Sequence, residues 1–208
     1  PNTDENNGEV YAMNFVYSGN FKVSAEVDMH LNTRFQIGIN DFDFGWTLMP
    51  NEEFQTPEAV LVYTNKGLGD MSRTFHKLYQ DCLMSRKYAY KERPILINSW
   101  ESNYFDFNKE SLLKLAKEAK SIGAELFVLD DGWFGKRDDD KSSLGDWTPN
   151  EKKLGGSLSA LIDDINKTGL SFGLWFEPEM VSPDSDLFRK HPEWAIQVKG
   201  RKIETSRY

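Results

Sequence analysis

The stretch Glu125-Leu-Phe-Val-Leu-Asp-Asp-Gly-Trp133 decides the fold that the sequence predicts. Its four consecutive apolar residues, 126–129, do not alternate with polar ones, a pattern typical of a parallel strand buried on both faces. The run stops at two adjacent carboxylates, Asp130 and Asp131. Because ligands of α/β proteins bind at the carboxyl ends of parallel strands, we predict that these acids form the floor of a binding site.

The segments around this stretch alternate between strands and helices. Residues 95–100 and 171–176 are short apolar runs, and Asn108 is placed to cap a helix that ends at Gly123. The order β-α-β-α-β predicts a parallel sheet with right-handed crossovers. A (β/α)₈ TIM barrel takes roughly 250 residues, and fewer than half of these follow Pro94. The long loops at the strand ends favour the first three βα units of such a barrel, truncated before closure, over a small open sheet.

The N-terminal part has a different pattern. Residues 9–63 contain short runs rich in β-branched and aromatic residues, which predict an antiparallel sheet or part of a β-sandwich. The turn at 18–20 predicts a hairpin between the first two runs.

A helix with one apolar stripe follows this β region. Asp70 is predicted to be its N-cap, and Cys82 lies on the stripe, which favours a buried structural thiol over a nucleophile. We therefore predict a β-sandwich portion over 1–70, a linker helix over 71–93 and the barrel portion over 94–208.

Composition excludes several classes of protein. The net charge of −8 argues against a nucleic-acid partner, because phosphate binding needs a basic surface. One cysteine and three scattered histidines predict no metal site, and no other cofactor is expected. No apolar run is long enough for a membrane span, and the first eight residues lack the features of a signal peptide, so the expected location is the cytoplasm. The start at Pro1 suggests part of a larger protein.

The predicted strands all end in carboxylates, amides or indoles: Asn98 and Trp100; Asp130, Asp131 and Trp133; Trp175, Glu177 and Glu179. Carboxylates accept hydrogen bonds from several hydroxyls, and an aromatic face packs on the C–H side of a pyranose, so this set favours a sugar ligand. Spacing alone would pair Asp130 or Asp131 with Glu177 as the two carboxyl groups of a glycosidase. The alternative is that the acids form ion pairs with Lys136, Arg137 or Arg207.

Three long segments carry a family resemblance. Arg93-Pro-Ile-Leu-Ile-Asn-Ser-Trp-Glu-Ser-Asn-Tyr-Phe-Asp-Phe107, Leu126-Phe-Val-Leu-Asp-Asp-Gly-Trp-Phe-Gly-Lys-Arg-Asp-Asp-Asp140 and Gly173-Leu-Trp-Phe-Glu-Pro-Glu-Met-Val-Ser-Pro-Asp184 resemble the α-galactosidases of glycoside hydrolase family 36. The segments 143–147 and 17–21 are similar to that family as well, so the resemblance covers nearly the whole chain.

The resemblance implies a β-supersandwich followed by a (β/α)₈ barrel, and a retaining enzyme that removes terminal α-linked galactose from raffinose- and melibiose-type sugars through a covalent glycosyl-aspartate. It assigns Asp130 and Asp131 to hydrogen bonds with the O4 and O6 hydroxyls of galactose. Trp100 and Trp175 become walls of the pocket, and Arg207 a further substrate contact. Glu177 and Glu179 then lose the catalytic role that spacing suggested.

One departure from the family pattern limits these expectations. The nucleophile of the family lies in a Lys-x-Asp motif on the fourth barrel strand, and the acid/base lies further on, so both are expected beyond Tyr208. We therefore expect the 208-residue chain itself to be inactive and its parent, in a family that often forms tetramers, to be the enzyme. Two alternatives remain at this point: a complete, non-catalytic sugar-binding module, and a small α/β enzyme that uses Asp130 with Glu177.

Overall fold

The computed structural model describes residues 2–42 and 44–203, and the chain divides into two compact units, Pro1–Lys91 and Glu92–Tyr208. The elements of the first unit are β1 (Val10–Val16), β2 (Phe21–Val27), β3 (Thr33–Ile39), β4 (Glu58–Thr64) and α1 (Gly67–Leu78), which continues into a π-helical turn (Tyr79–Leu83). None of the helices in the described part of the chain has the length and apolar character of a membrane span.

The strands of the first unit form two antiparallel pairs. β1 pairs with β4, from Val10 opposite Thr64 to Val16 opposite Glu58, and β2 pairs with β3. The antiparallel prediction is confirmed, but the predicted hairpin between β1 and β2 is wrong, because the turn at 18–20 leads from one pair to the other. Strand propensity identifies extended segments, whereas the choice of partner depends on distant residues.

The start of α1 also differs from the prediction. The helix begins at Gly67, and Asp70 lies in its first turn, where its carboxylate accepts a hydrogen bond from the Thr64 hydroxyl at 2.6 Å instead of capping the helix. Cys82 lies in the π-helical turn and is exposed, so the prediction of a buried thiol is wrong. A π-helical turn contains more residues than an α-helical one and moves the residues that follow off the α-helical stripe.

The second unit contains the predicted parallel sheet, in the order β5-β6-β7. Its elements are β5 (Leu96–Asn98), α2 (Trp100–Asn103), α3 (Lys109–Ser121), β6 (Leu126–Leu129), α4 (Glu151–Leu154), α5 (Leu158–Asn166), β7 (Ser171–Leu174), α6 (Asp186–Lys190) and a 3₁₀ turn (Pro192–Trp194). Ile97 lies opposite Phe127, and Phe127 lies opposite Phe172. The three strands therefore end at the same edge of the sheet.

The core of this unit lies between the sheet and its helices. Phe127 and Leu129 of β6 are fully buried, as are Leu112 of α3 and Ile165 of α5. The predicted cap of α3 is confirmed: the Asn108 side chain accepts a hydrogen bond from the backbone N–H of residue 111 at 2.9 Å, an interaction that contributes about 1 kcal/mol. The helix and β6 together fix the position of the acids that follow the strand.

Candidate functional site

The carboxylate of Asp130 is held between two neighbouring strand ends. Its Oδ2 accepts a hydrogen bond from Asn98 Nδ2 at 2.6 Å, and Asn98 Oδ1 accepts one from the backbone N–H of Trp100 at 2.7 Å. The backbone N–H of Asp130 donates to Ser99 Oγ at 3.1 Å. The amide of Asn98 thus links two of the predicted site residues, Asp130 and Trp100.

Asp130 keeps acceptor capacity for a ligand. Its Oδ1 accepts the backbone N–H of Asp131 at 2.7 Å, so each carboxylate oxygen has one donor among the described residues. An ionised carboxylate offers about four lone-pair positions. One position on each oxygen therefore remains, and the side chain is only half-buried. This is a suitable arrangement for accepting hydroxyl donors.

Asp131 has a different environment. It is 5% exposed and forms a bidentate ion pair with Arg137: Nε lies 3.0 and 3.1 Å from Oδ1 and Oδ2, and Nη2 lies 2.8 Å from Oδ2. Oδ1 also accepts the backbone N–H of Gly132 at 2.7 Å. Pairing with Arg137 was the alternative that the sequence left open for these acids. The direct hydroxyl contact of Asp131 stays a prediction.

The two predicted tryptophans are both half-buried and anchored through neighbours. Trp100 packs edge-on against Phe105, with ring centroids 5.0 Å apart. Trp175 donates its backbone N–H to the carbonyl of Leu129 at 2.9 Å, and its own carbonyl accepts Trp133 Nε1 at 3.0 Å. Trp133 is buried and lies edge-on to Phe134, with centroids 5.1 Å apart. Hydrogen bonds thus connect Trp175 to Leu129 and to Trp133, on either side of Asp130.

The loops after β6 and β7 are bonded to each other. Leu144 and Ser182 exchange hydrogen bonds, from Leu144 N–H to Ser182 Oγ at 3.1 Å and from Ser182 N–H to the Leu144 carbonyl at 2.9 Å. The two carboxylate oxygens of Asp146 accept the N–H groups of Asp186 and Leu187, the first two residues of α6, at 2.9 and 3.0 Å. We name this set of contacts, between 143–146 and 182–187, the loop junction.

The two remaining acids at the strand ends, Glu177 and Glu179, differ in burial. Glu177 is buried, and Glu179 is exposed. Arg207, which the resemblance places in the site, lies outside the described residues. Within 2–42 and 44–203, no group of three or more His, Cys, Asp or Glu side chains is placed to hold a metal ion.

A groove of about 490 Å³ lies away from the strand ends, on residues of α3 and the end of α5. Asp164 on its wall accepts hydrogen bonds from Lys109 and Lys167, both at 2.7 Å, and these ammonium groups lower the pKa of Asp164 from 3.8 to about 2. None of the residues that line the groove is a candidate sugar-site residue.

Two residues that contact the site acids, Asn98 and Arg137, are not among the predicted substrate-binding residues. Asn98 is the last residue of β5 and pairs with Val128, two residues before Asp130, so the register of the parallel sheet brings its amide within reach of the Asp130 carboxylate. Arg137 was considered only as an ion-pair partner. Its place six residues after Asp131 gives no periodic signal, because the intervening segment is a loop.

The second unit is thus an α/β unit in which an oriented carboxylate follows the central parallel strand, with half-buried indoles after the two neighbouring strands. The chain belongs to the melibiase family: residues 53–208 match the family described as Melibiase, and residues 1–49 match the Glycosyl hydrolase family 36 N-terminal domain. The resemblance to the α-galactosidases of family 36 is thereby confirmed.

Several characterised relatives align over nearly the whole chain. The chain is 55% identical over 200 residues to alpha-galactosidase AgaA of Geobacillus stearothermophilus. This alignment covers 96% of the chain and 27% of AgaA. The chain is 49% identical to the bifunctional alpha-galactosidase/sucrose kinase AgaSK of Mediterraneibacter gnavus, with 99% of this chain and 22% of that protein covered. The chain thus spans about a quarter of the length of these relatives.

Solved structures agree with the fold. The family 36 α-galactosidase AgaB of Geobacillus stearothermophilus superposes with a TM-score of 0.92 at 55% identity, covering 98% of this chain and 28% of that one. An AgaA variant from the same organism, solved in complex with raffinose, gives a TM-score of 0.93 at 53% identity with the same coverage.

Proposed function

We propose that this chain forms part of the galactose site of a retaining α-galactosidase that acts on raffinose- and melibiose-type oligosaccharides. The observation that carries the proposal is the carboxylate of Asp130. Two protein donors at 2.6 and 2.7 Å orient it, and the described residues leave one acceptor position on each oxygen. Membership of the melibiase family and the raffinose complex of an AgaA variant support the choice of sugar.

Each predicted site residue has a role in this proposal. Asp130 accepts hydrogen bonds from the galactose hydroxyls. The remaining acceptor position of the neighbouring Asp131 carboxylate accepts one more. Trp100 and Trp175 form apolar walls for the C–H face of the sugar. Arg207, beyond the described residues, is a further substrate contact. The nucleophile and the acid/base lie outside the 208 residues, so the chain on its own is expected to release no galactose.

The same proposal extends to the architecture. Residues 94–208 form the first three βα units of a (β/α)₈ barrel, residues 1–70 belong to the β-supersandwich, and 71–93 link the two. The parallel order β5-β6-β7 and the antiparallel pairs β1-β4 and β2-β3 support this division.

The test is the hydrolysis of raffinose and of a nitrophenyl α-galactoside by the full-length gene product that carries this sequence, with and without Asp130→Asn. Asparagine replaces one acceptor oxygen by a donor, so one charge-assisted hydrogen bond to the sugar is lost. We expect kcat/KM to fall by about 1.5–3 kcal/mol of transition-state stabilisation, or about 10- to 150-fold. Circular dichroism verifies that the variant folds.

The matched control is Asp140→Asn, an exposed acid in the loop after β6, which should leave kcat/KM unchanged. A folded gene product that hydrolyses neither substrate would refute the proposed function. An active enzyme in which Asp130→Asn has no effect would remove Asp130 from the galactose site while leaving the activity itself established.

A further inference from the structure

Arg137 is a buried side chain that is held on several sides. It is 1% exposed, and besides its three contacts with Asp131 its Nη1 donates to the carbonyl of Ser142 at 3.0 Å. Its guanidinium lies over the ring of Phe105, 5.6 Å from the centroid. Lys153 Nζ donates to its backbone carbonyl at 3.4 Å. The guanidinium therefore has one defined orientation.

The ion pair between Arg137 and Asp131 contributes mainly to the geometry of the site and less to the stability of the fold. The two side chains are 1% and 7% exposed, and a buried ion pair is often no more stabilising than apolar side chains of the same volume. A bidentate arginine–carboxylate contact does, however, fix the plane and direction of the carboxylate. In Asp131, that direction determines where the last acceptor position points.

The acceptor positions of Asp131 can be counted. Oδ1 is used by Gly132 N–H and by Arg137 Nε, and Oδ2 by Arg137 Nη2, with Nε shared between the oxygens. When the shared Nε–H is counted once, the described residues supply three donors for about four lone-pair positions, which leaves one position on Oδ2. The backbone N–H of Asp131 also donates to Asp130 Oδ1 at 2.7 Å. A displacement of Asp131 would therefore move Asp130 as well.

We propose that Arg137 is a positioning residue for sugar recognition. It does not contact the sugar, and it orients the free acceptor of Asp131 and, through the Asp131 backbone, the carboxylate of Asp130. This inference rests on the proposed function, since it concerns the same site. Its consequence is that Arg137 contributes to the discrimination between galactose and glucose, which differ only in the direction of the O4 hydroxyl.

The experiment uses the full-length gene product with four substitutions: Arg137→Lys, Arg137→Met, Asp131→Asn, and the double variant of Asp131→Asn with Arg137→Met. The first readout is the ratio of kcat/KM for a nitrophenyl α-galactoside over the corresponding α-glucoside. The second is the melting temperature with and without galactose. A loss of folded enzyme lowers both rates equally and leaves the ratio unchanged, so the ratio does not depend on the amount of folded protein, and Arg137→Lys, which keeps Asp131 intact, tests positioning most directly.

The expected results separate positioning from stability. Arg137→Met leaves the Asp131 carboxylate buried without its cation and should lower the melting temperature. The double variant removes that buried charge and should regain most of the lost melting temperature. Its selectivity ratio should nevertheless stay at least roughly tenfold below that of the unsubstituted enzyme, because the acceptors are no longer aligned. Arg137→Lys keeps the positive charge but cannot form the bidentate contact of a planar guanidinium, so it should give an intermediate selectivity ratio.

Other outcomes decide against the inference. The role of Arg137 is overturned if the double variant or Arg137→Lys folds and keeps the full selectivity ratio. These two variants also provide the test if Arg137→Met does not fold. If the unsubstituted protein turns over neither substrate, the proposed function fails. Sugar binding is then measured by the galactose-induced rise in melting temperature instead of the selectivity ratio. Retention of that rise in the double variant, or its absence from the unsubstituted protein, overturns the role of Arg137.

Discussion

Replacement of Asp146 by alanine should release α6 from the loop after β6. The carboxylate of Asp146 accepts the N–H groups of Asp186 and Leu187, while Ser185 Oγ accepts that of Phe188 at 3.0 Å. All three N–H groups in the first turn of this five-residue helix are thus satisfied by side chains. Two of the three acceptors come from another loop of the chain.

The size of the effect follows from these two hydrogen bonds. Asp146 is half-buried, so each bond is assigned about 1 kcal/mol, giving about 2 kcal/mol for the local opening of α6. Because 1.4 kcal/mol corresponds to a factor of ten, amide exchange in residues 184–190 should become about 30-fold faster. Asp146→Asn keeps one acceptor oxygen and should give about a fivefold change.

The assay is hydrogen exchange followed by mass spectrometry on the full-length gene product. Asp140→Ala is the control, because this exposed acid lies in the same loop and should leave exchange in 184–190 unchanged. Peptides from α3 report whether the whole unit has become less stable. Unchanged exchange of 184–190 in Asp146→Ala, or an equal increase in α3, would show that the loop junction does not hold α6.

Two further predictions concern other parts of the chain. Lys109 and Lys167 hold the pKa of Asp164 at about 2, below its ordinary value of 3.8. Asp164 therefore stabilises the fold above pH 3.8 and loses this contribution as the pH falls towards about 2. In urea titrations, the difference in unfolding free energy between the unsubstituted protein and Asp164→Asn should shrink over this pH range. Gly67→Ala should lower the melting temperature, at a cost of about 1–3 kcal/mol, because Gly67 has φ +80° and an alanine Cβ would lie 2.6 Å from a backbone carbonyl oxygen. Gly38→Ala, where a Cβ would have nothing within 4 Å, is its control, and an equal change in both variants would contradict the explanation.

Local patterns were sufficient to predict much of the second unit. The non-alternating run at 126–129 is β6, and the Asn108 cap begins α3, because both depend on neighbours within a few residues. The pairing of β1 with β4 was missed, since about forty residues separate the partners and no turn joins them.

The partner of Asp131 depends on the path of a loop. Gly132 and Gly135 have φ of +97° and +53°, in the left-handed region, and the turn they form brings Arg137 back to Asp131. Sequence reasoning identified the acid and the candidate cation separately. Which of several nearby cations would reach the carboxylate could not be decided without the backbone course.

The loop junction has a consequence for engineering in this family. Since 143–146 and 182–187 share reciprocal hydrogen bonds, and one segment provides the N-terminal acceptors of the helix in the other, neither can be exchanged alone between homologous enzymes without leaving donors unmatched. Chimeras that transplant both segments together should tolerate the graft better than those that transplant either one.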